Sequence, residues 1–215
     1  MITTETMRAI LLTIADRMDA DRDELDALDG ALGDGDLGIS MAKGFDAVRS
    51  LLRTEPPPQE TPGSLLVRCA MHLQEAAPST LVTLLAMALV SAGTQVKQEA
   101  ALDGAHVHGM FEAMIASLQR RGRAQVGDKT ILDALVPAAD GLGMALERGA
   151  SLEDALAEAA EAAERGAEAT KALQARHGRA GRYFEQSIGH EDAGAAVGAI
   201  IVAGLAQGVR TGGGR

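Results

Sequence analysis

The chain predicts an all-α fold, an antiparallel barrel or bundle of about eight helices. Apolar residues recur at helical spacing along nearly its whole length. The composition is 47% apolar but only 2% aromatic, with no Trp, so Ala, Leu, Val and Met fill the core and let helices pack closely. No run shows the apolar–polar alternation of a half-buried strand.

The elements follow in order. Residues 3–20 place Met7, Ile10, Leu11, Ile14 and Met18 on one face, with Thr3 or Thr4 as N-cap. A short helix over 22–28 leads into an acidic loop at 29–38. A long helix from about Ile39 to Arg53 buries Met41, Phe45, Val48, Leu51 and Leu52. The Pro-rich stretch from Glu55 to Gly63 breaks the pattern. Further helices are expected at about 63–74, 79–97, 104–121 and 130–147. Ser151-Leu-Glu-Asp154 reads as a capping box opening an Ala/Glu-rich helix to about Arg176. Gly178 to His190 reads as a loop with a short turn, and a last apolar helix covers about 192–210. The expectation is a single domain over 1–215 with a disordered tail at 211–215.

The formal charge is −10, from 20 basic and 30 acidic residues. A nucleic-acid partner, which needs a basic face, is not expected. Nor is an anionic membrane surface. Ala76–Val96 and Ala193–Val209 carry no charge, but polar residues in the first and the shortness of the second fit central helices of a soluble bundle. The lone Cys69 permits no intrachain disulfide and reads as a small buried apolar group, in keeping with a cytoplasmic location. The N-terminus lacks the basic segment of a signal peptide.

The most informative segment is Asp29-Gly-Ala-Leu-Gly-Asp34-Gly-Asp36-Leu37-Gly38. Three carboxylates on one Gly-rich loop repel one another unless a cation offsets them. Clustered hard oxygen ligands suit Mg²⁺, which often shares its shell with phosphates. A helix starting near Gly38 would aim its N–H groups and positive dipole end at the same place. The bland alternative is a solvated acidic turn whose aspartates cap helices. Gly33 to Gly38 formally matches a dinucleotide fingerprint, but no strand precedes it and no βαβ unit follows. An EF-hand counted from Asp34 fails, because Gly38 and Phe45 stand where oxygen ligands are required.

These residues resemble a known family. Leu28 to Phe45 is similar to the signature of the nucleotide-binding L subunit, or L domain, of dihydroxyacetone kinases. Gly127-Asp-Lys-Thr-Ile-Leu-Asp-Ala-Leu135, Gly178-Arg-Ala180 and Ser187-Ile-Gly-His-Glu-Asp192-Ala-Gly194 resemble three further blocks of that family, in the same order. The resemblance implies an eight-helix antiparallel barrel with the nucleotide–Mg²⁺ site in loops at one end. By it, Asp29, Asp34 and Asp36 hold two Mg²⁺ ions that bind ADP or ATP. Leu37, Gly38, Ile39 and Ser40 lie against the phosphates, and Ser79 and Thr80 donate to phosphate oxygens. Gly122 and Ile131 border the adenine. Arg179 approaches the phosphates or the transferring group, and Asp192, Ala193 and Gly194 close over the nucleotide.

The resemblance also implies a reaction, phosphoryl transfer to a short ketose such as dihydroxyacetone held on a separate K-type subunit. The phosphoryl source is ATP or a phosphotransferase-system protein that recharges bound ADP. The chain departs from the family in having Leu37 for His, Ser40 for Asn, Ala76-Ala-Pro-Ser-Thr80 for a Gly-rich stretch, and Ala193 for Pro. Those departures leave the metal ligands in place and touch the phosphate contacts. A nucleotide-sensing adaptor that regulates a partner is the alternative, and a helical bundle carrying an apolar ligand is a third. Asp128 and Lys129 read as helix caps or as site residues, and His177 and His190 as loop hydrogen-bonding groups.

Overall fold

The computed structural model describes residues 1–212, and all structural statements concern these. Nine α-helices form in the order α1 (Thr4–Ala20), α2 (Arg22–Leu32), α3 (Leu37–Leu52), α4 (Pro62–Ala76), α5 (Thr80–Gln95), α6 (Gly104–Gly122), α7 (Leu132–Glu147), α8 (Leu152–Ala169) and α9 (Ala193–Gly212). The eight long ones close a ring, each packing on the next from α1 and α3 through to α8 and α9, with α9 returning to α1. Gly204 and Gly208 of α9 face Ile14 and Ile10 of α1, so residue numbers rise on one helix as they fall on the other and the closing pair is antiparallel. The all-α class is as expected. The added strands, β1 (Ile2–Thr3) and β2 (Ala101–Leu102), pair antiparallel but hold two residues each, too few to show alternation.

In a ring that runs up and down, alternate connections share one end. The α2–α3, α4–α5, α6–α7 and α8–α9 connections therefore gather at one end. The β1–β2 pair and the other connections lie at the opposite end. The core inside the ring is aliphatic, from Met7, Ile10, Met18, Leu65, Leu85, Leu135 and Val202 among others, with Ala at the close contacts. Cys69 is buried in it, and burial pushes its thiol up to about 12.

Most caps follow the sequence. Thr3 accepts from Thr6, Thr61 and Ser64 cap each other ahead of Pro62, and Ser151 accepts from the Asp154 amide. Three boundaries differ. The short helix runs on to Leu32, because Leu25, Leu28 and Leu32 repeat at helical spacing, the first two against the core and Leu32 buried beside the cavity. The Ala/Glu-rich helix stops at Ala169, not near Arg176. There the Thr170 hydroxyl turns back to the Ala167 carbonyl at 2.5 Å and a 3₁₀ turn (Thr170–Ala172) follows. The last helix continues through Gly212, so Thr211 and Gly212 are helical rather than tail. The rest of that expected tail, 213–215, lies outside the described residues. α9 is long and apolar enough by composition to cross a membrane, yet Ala195, Val197, Ile201 and Val202 are buried inside the barrel.

Candidate functional site

The loops at the shared end surround a cavity of about 680 Å³, within the usual range for small-molecule sites. One wall is apolar, from Leu28, Leu81, Leu84, Leu118, Ile131 and Leu132. The lining also includes Asp29 and Asp36, which with Asp34 each turn one carboxylate oxygen toward a common point, all within 4.8 Å of one another.

The chain builds this cluster in steps. Asp29 lies in the last turn of α2, and its Oδ2 accepts from the Gly35 and Asp36 amides at 2.9 and 3.1 Å. Those bonds fold the 33–36 turn back over Asp29. Asp36 then opens α3 without a side-chain cap bond. Asp26, one helical turn before Asp29, supplies the cap by accepting from the Ile39 amide at 3.1 Å. Gly38 is required at this junction, since a Cβ there would overlap the Arg22 carbonyl. Asp26 was not singled out from sequence. Its spacing of three from Asp29 was the available signal.

Arg179 meets the cluster from the α8–α9 connection. Its Nη1 pairs with Asp34 and lies 3.5 Å from Asp36 and 4.0 Å from Asp29. One guanidinium against three carboxylates leaves a net negative charge. The donor set, three hard oxygens with charge left to offset, fits a divalent cation of the Mg²⁺ kind.

The other expected residues divide. Leu37, Ser40, Ser79, Thr80, Gly122, Ile131, Arg179, Asp192, Ala193 and Gly194 all line the cavity. Gly38 and Ile39 do not belong to its wall. Gly38 is buried in the α2–α3 junction, and Ile39 is 56% exposed with its amide taken by Asp26. Ser79 is the N-cap of α5 and accepts from the Val82 amide at 3.3 Å, which leaves its hydroxyl proton free to donate. Asp192 caps α9 by accepting from the Ala195 amide at 2.8 Å. Burial pushes its carboxyl up to about 7, and nearby Asp133 adds to the rise against the Ala195 amide and Lys129.

The segment Gly127–Leu135 does more than cap a helix. Asp133 closes it locally, accepting from the Gly127 and Thr130 amides at 2.6 and 2.7 Å. Lys129 is 1% exposed, sits at φ 63°, and donates to four backbone carbonyls, with burial holding its ammonium below the usual value. Burial also raises the cost of a charged Asp128, but the Gln125 amide, His177 and Arg176 outweigh it and hold that carboxyl below the usual range. His177 Nε2 lies 3.2 Å from Asp128, the loop hydrogen bond expected of it. His190 contributes its carbonyl to Lys129. The walls also include Arg121 and Arg182, which sequence reasoning passed over for want of a motif.

Comparison with known proteins identifies the family of the chain. The DAK2 domain family signature matches residues 31–207. An L-erythrulose kinase of Pectobacterium atrosepticum is 34% identical over 93% of this chain and 35% of its own length. The ADP-binding subunit DhaL of the PEP-dependent dihydroxyacetone kinase of Escherichia coli is 32% identical over 86% of this chain and 87% of its own. The chain thus spans about a third of the first relative and most of the second. The crystal structure of the dihydroxyacetone kinase of C. freundii in complex with AMP-PNP and Mg²⁺ superposes with a TM-score of 0.72, at 25% identity, over 94% of this chain and 33% of that one. With a signature across most of its length, relatives above 30% identity and a shared all-α architecture, the chain belongs to the DAK2 domain family.

Proposed function

We propose that the chain is the nucleotide-binding subunit of a dihydroxyacetone-kinase-like phosphotransferase. It binds Mg·ADP or Mg·ATP and passes a phosphoryl group to a short ketose, dihydroxyacetone or a relative such as erythrulose, held on a separate K-type subunit. The observation that carries this reading is the pairing of three carboxylates and one guanidinium at the polar end of a cavity with apolar walls.

Asp29, Asp34 and Asp36 would hold the metal, two Mg²⁺ ions in this proposal, and the bound metal supplies charge neutralisation to the phosphates. Phosphoryl transfer asks for positioning and neutralisation more than for covalent chemistry. Ser79 and Thr80 donate from the start of α5, where the helix end favours anions. Leu37 and Ser40 border the phosphates. Gly122 and Ile131, with the leucines beside them, take the adenine. Arg179 is the proposed catalytic residue, exchanging its aspartate partners for the charge that develops on the transferring group. Asp192, Ala193 and Gly194 close the nucleotide end. The PEP-dependent, ADP-binding description of the Escherichia coli relative supports recharging of bound ADP, and the AMP-PNP complex of the C. freundii kinase supports ATP.

The test is phosphoryl transfer to dihydroxyacetone or erythrulose by this chain together with a K-type subunit. Turnover with ATP supports direct transfer. Turnover only when a PEP-fed phosphotransferase system is added supports recharging of bound ADP. Nucleotide binding without turnover from either source replaces the kinase reading with that of a nucleotide-sensing adaptor.

A further inference from the structure

Among the described residues six polar residues are buried, and five of them, Asp128, Lys129, Asp133, Thr170 and Ser187, belong to one network beside the cavity. At its centre the Lys129 ammonium donates to the carbonyls of Thr170 (3.0 Å), Leu173 (3.2 Å), Ser187 (2.7 Å) and His190 (2.5 Å). Thr170 and Leu173 follow the C-terminus of α8, where the helix dipole is negative. Ser187 and His190 lie at the far end of the same connection, in and just after its 3₁₀ helix (Ala180–Ser187). One side chain therefore ties both ends of the excursion between residues 173 and 187. Asp128 ties its middle. The Asp128 carbonyl accepts from the Arg176 amide at 3.2 Å, and its carboxylate meets Arg176 and His177. Ser187 adds a bond inside the excursion by accepting from the Ala175 amide at 2.8 Å. Arg179, at the entry to the 3₁₀ helix, is the residue this frame carries to the aspartates.

An ammonium has three N–H donors, and four carbonyls already compete for them. Lys129 therefore has no proton to offer a phosphate, although it touches the cavity wall. We infer that Lys129 is a positioning residue, which acts on the proposed phosphate site through Arg179, by fixing the 173–190 segment that sets the guanidinium opposite Asp29, Asp34 and Asp36. This rests on the proposed nucleotide binding for its effect on affinity, and on the ligand-free chain for its effect on the segment.

The experiment is a double-mutant cycle read by calorimetric titration with ADP in Mg²⁺, on Lys129→Met, Arg179→Met and the double variant. A residue that acts through Arg179 gives losses that do not multiply. The expected result is about a tenfold loss for each single variant, of the usual size for coupled sites, and no further loss in the double variant. Losses that multiply, or unchanged affinity in Lys129→Met, overturn the inference. Hydrogen exchange on the ligand-free proteins is the second readout. Lys129→Met is expected to lose protection over 173–190 while α3 to α5 stay protected, and unchanged protection over 173–190 overturns the clamp. If the unmutated chain fails to bind Mg·ADP, the nucleotide reading falls and the exchange result alone decides whether Lys129 holds the segment. If Lys129→Met does not fold, Lys129→Gln, which keeps an uncharged and shorter donor, enters both measurements in its place.

Discussion

Asp29 and Asp34 belong to one carboxylate cluster but do different structural work. Asp29 holds the Gly35 and Asp36 amides, whereas Asp34 is exposed and its one partner among the described residues is Arg179. Asp34→Asn is therefore expected to weaken Mg·ADP binding at least about tenfold, a step of ~1.4 kcal/mol, with no change in melting temperature. Calorimetry paired with a thermal melt checks this, and unchanged affinity removes Asp34 from the metal shell. Asp29→Asn is expected to lower both. Asp192 allows a prediction in pH. Its carboxyl ordinarily titrates near 3.8 and here near 7, so the folded chain holds that proton more tightly than the unfolded one. The associated stability is fully present below the ordinary value and is lost as pH rises through the folded one. Relative to Asp192→Asn, the unmutated chain is expected to lose stability between about pH 4 and 7, and parallel denaturation midpoints for the two proteins across that range contradict this. The clustering of Asp29, Asp34 and Asp36 follows from their spacing, which leaves a solvated acidic turn open, and their proposed ligand role comes from the family resemblance. Asp26 and Lys129 were less legible, because one works as a cap for a helix it does not belong to and the other reaches carbonyls 41 to 61 residues away.

The helices themselves were readable, since apolar spacing reports each buried face directly. Their ends were less so where tertiary contacts decide. The expected end of α2 at residue 28 is overrun, because burial of Leu32 outweighs the helix cost of Gly30. Nothing in the Ala/Glu pattern of α8 announces its stop, because the carbonyls beyond Ala169 are claimed by Lys129 from another part of the chain. The two-residue strands fall below any period. The closing α1–α9 contact is a close helix pair that depends on glycine. A Cβ at Gly208 would stand 2.6 Å from the Ile10 Cα, on backbone that cannot swing aside. Gly208→Ala is expected to destabilise by about 1–3 kcal/mol despite its better helix propensity. A denaturant midpoint that rises instead would show the pair to be loosely packed.

At the scale of the molecule, up-and-down topology brings residues from 29, 79, 122, 131, 179 and 192 to one end of a barrel. That gathering explains how motifs scattered over most of the chain form one cavity. The expectation of like-charge repulsion in the acidic loop is modified by Arg179, which offsets part of it without a cation. Because the offset is partial, Mg²⁺ with ADP is expected to raise hydrogen-exchange protection at 33–36 and at 177–182, leaving the barrel interior unchanged. Equal protection with and without Mg²⁺ would count against a metal at the cluster. The most direct test is calorimetric titration of nucleotide-stripped protein with ADP, first with Mg²⁺ and then with EDTA. Binding that requires Mg²⁺ is the predicted result. Binding that persists in EDTA, or no binding in either condition, would contradict a nucleotide site built on Asp29, Asp34 and Asp36.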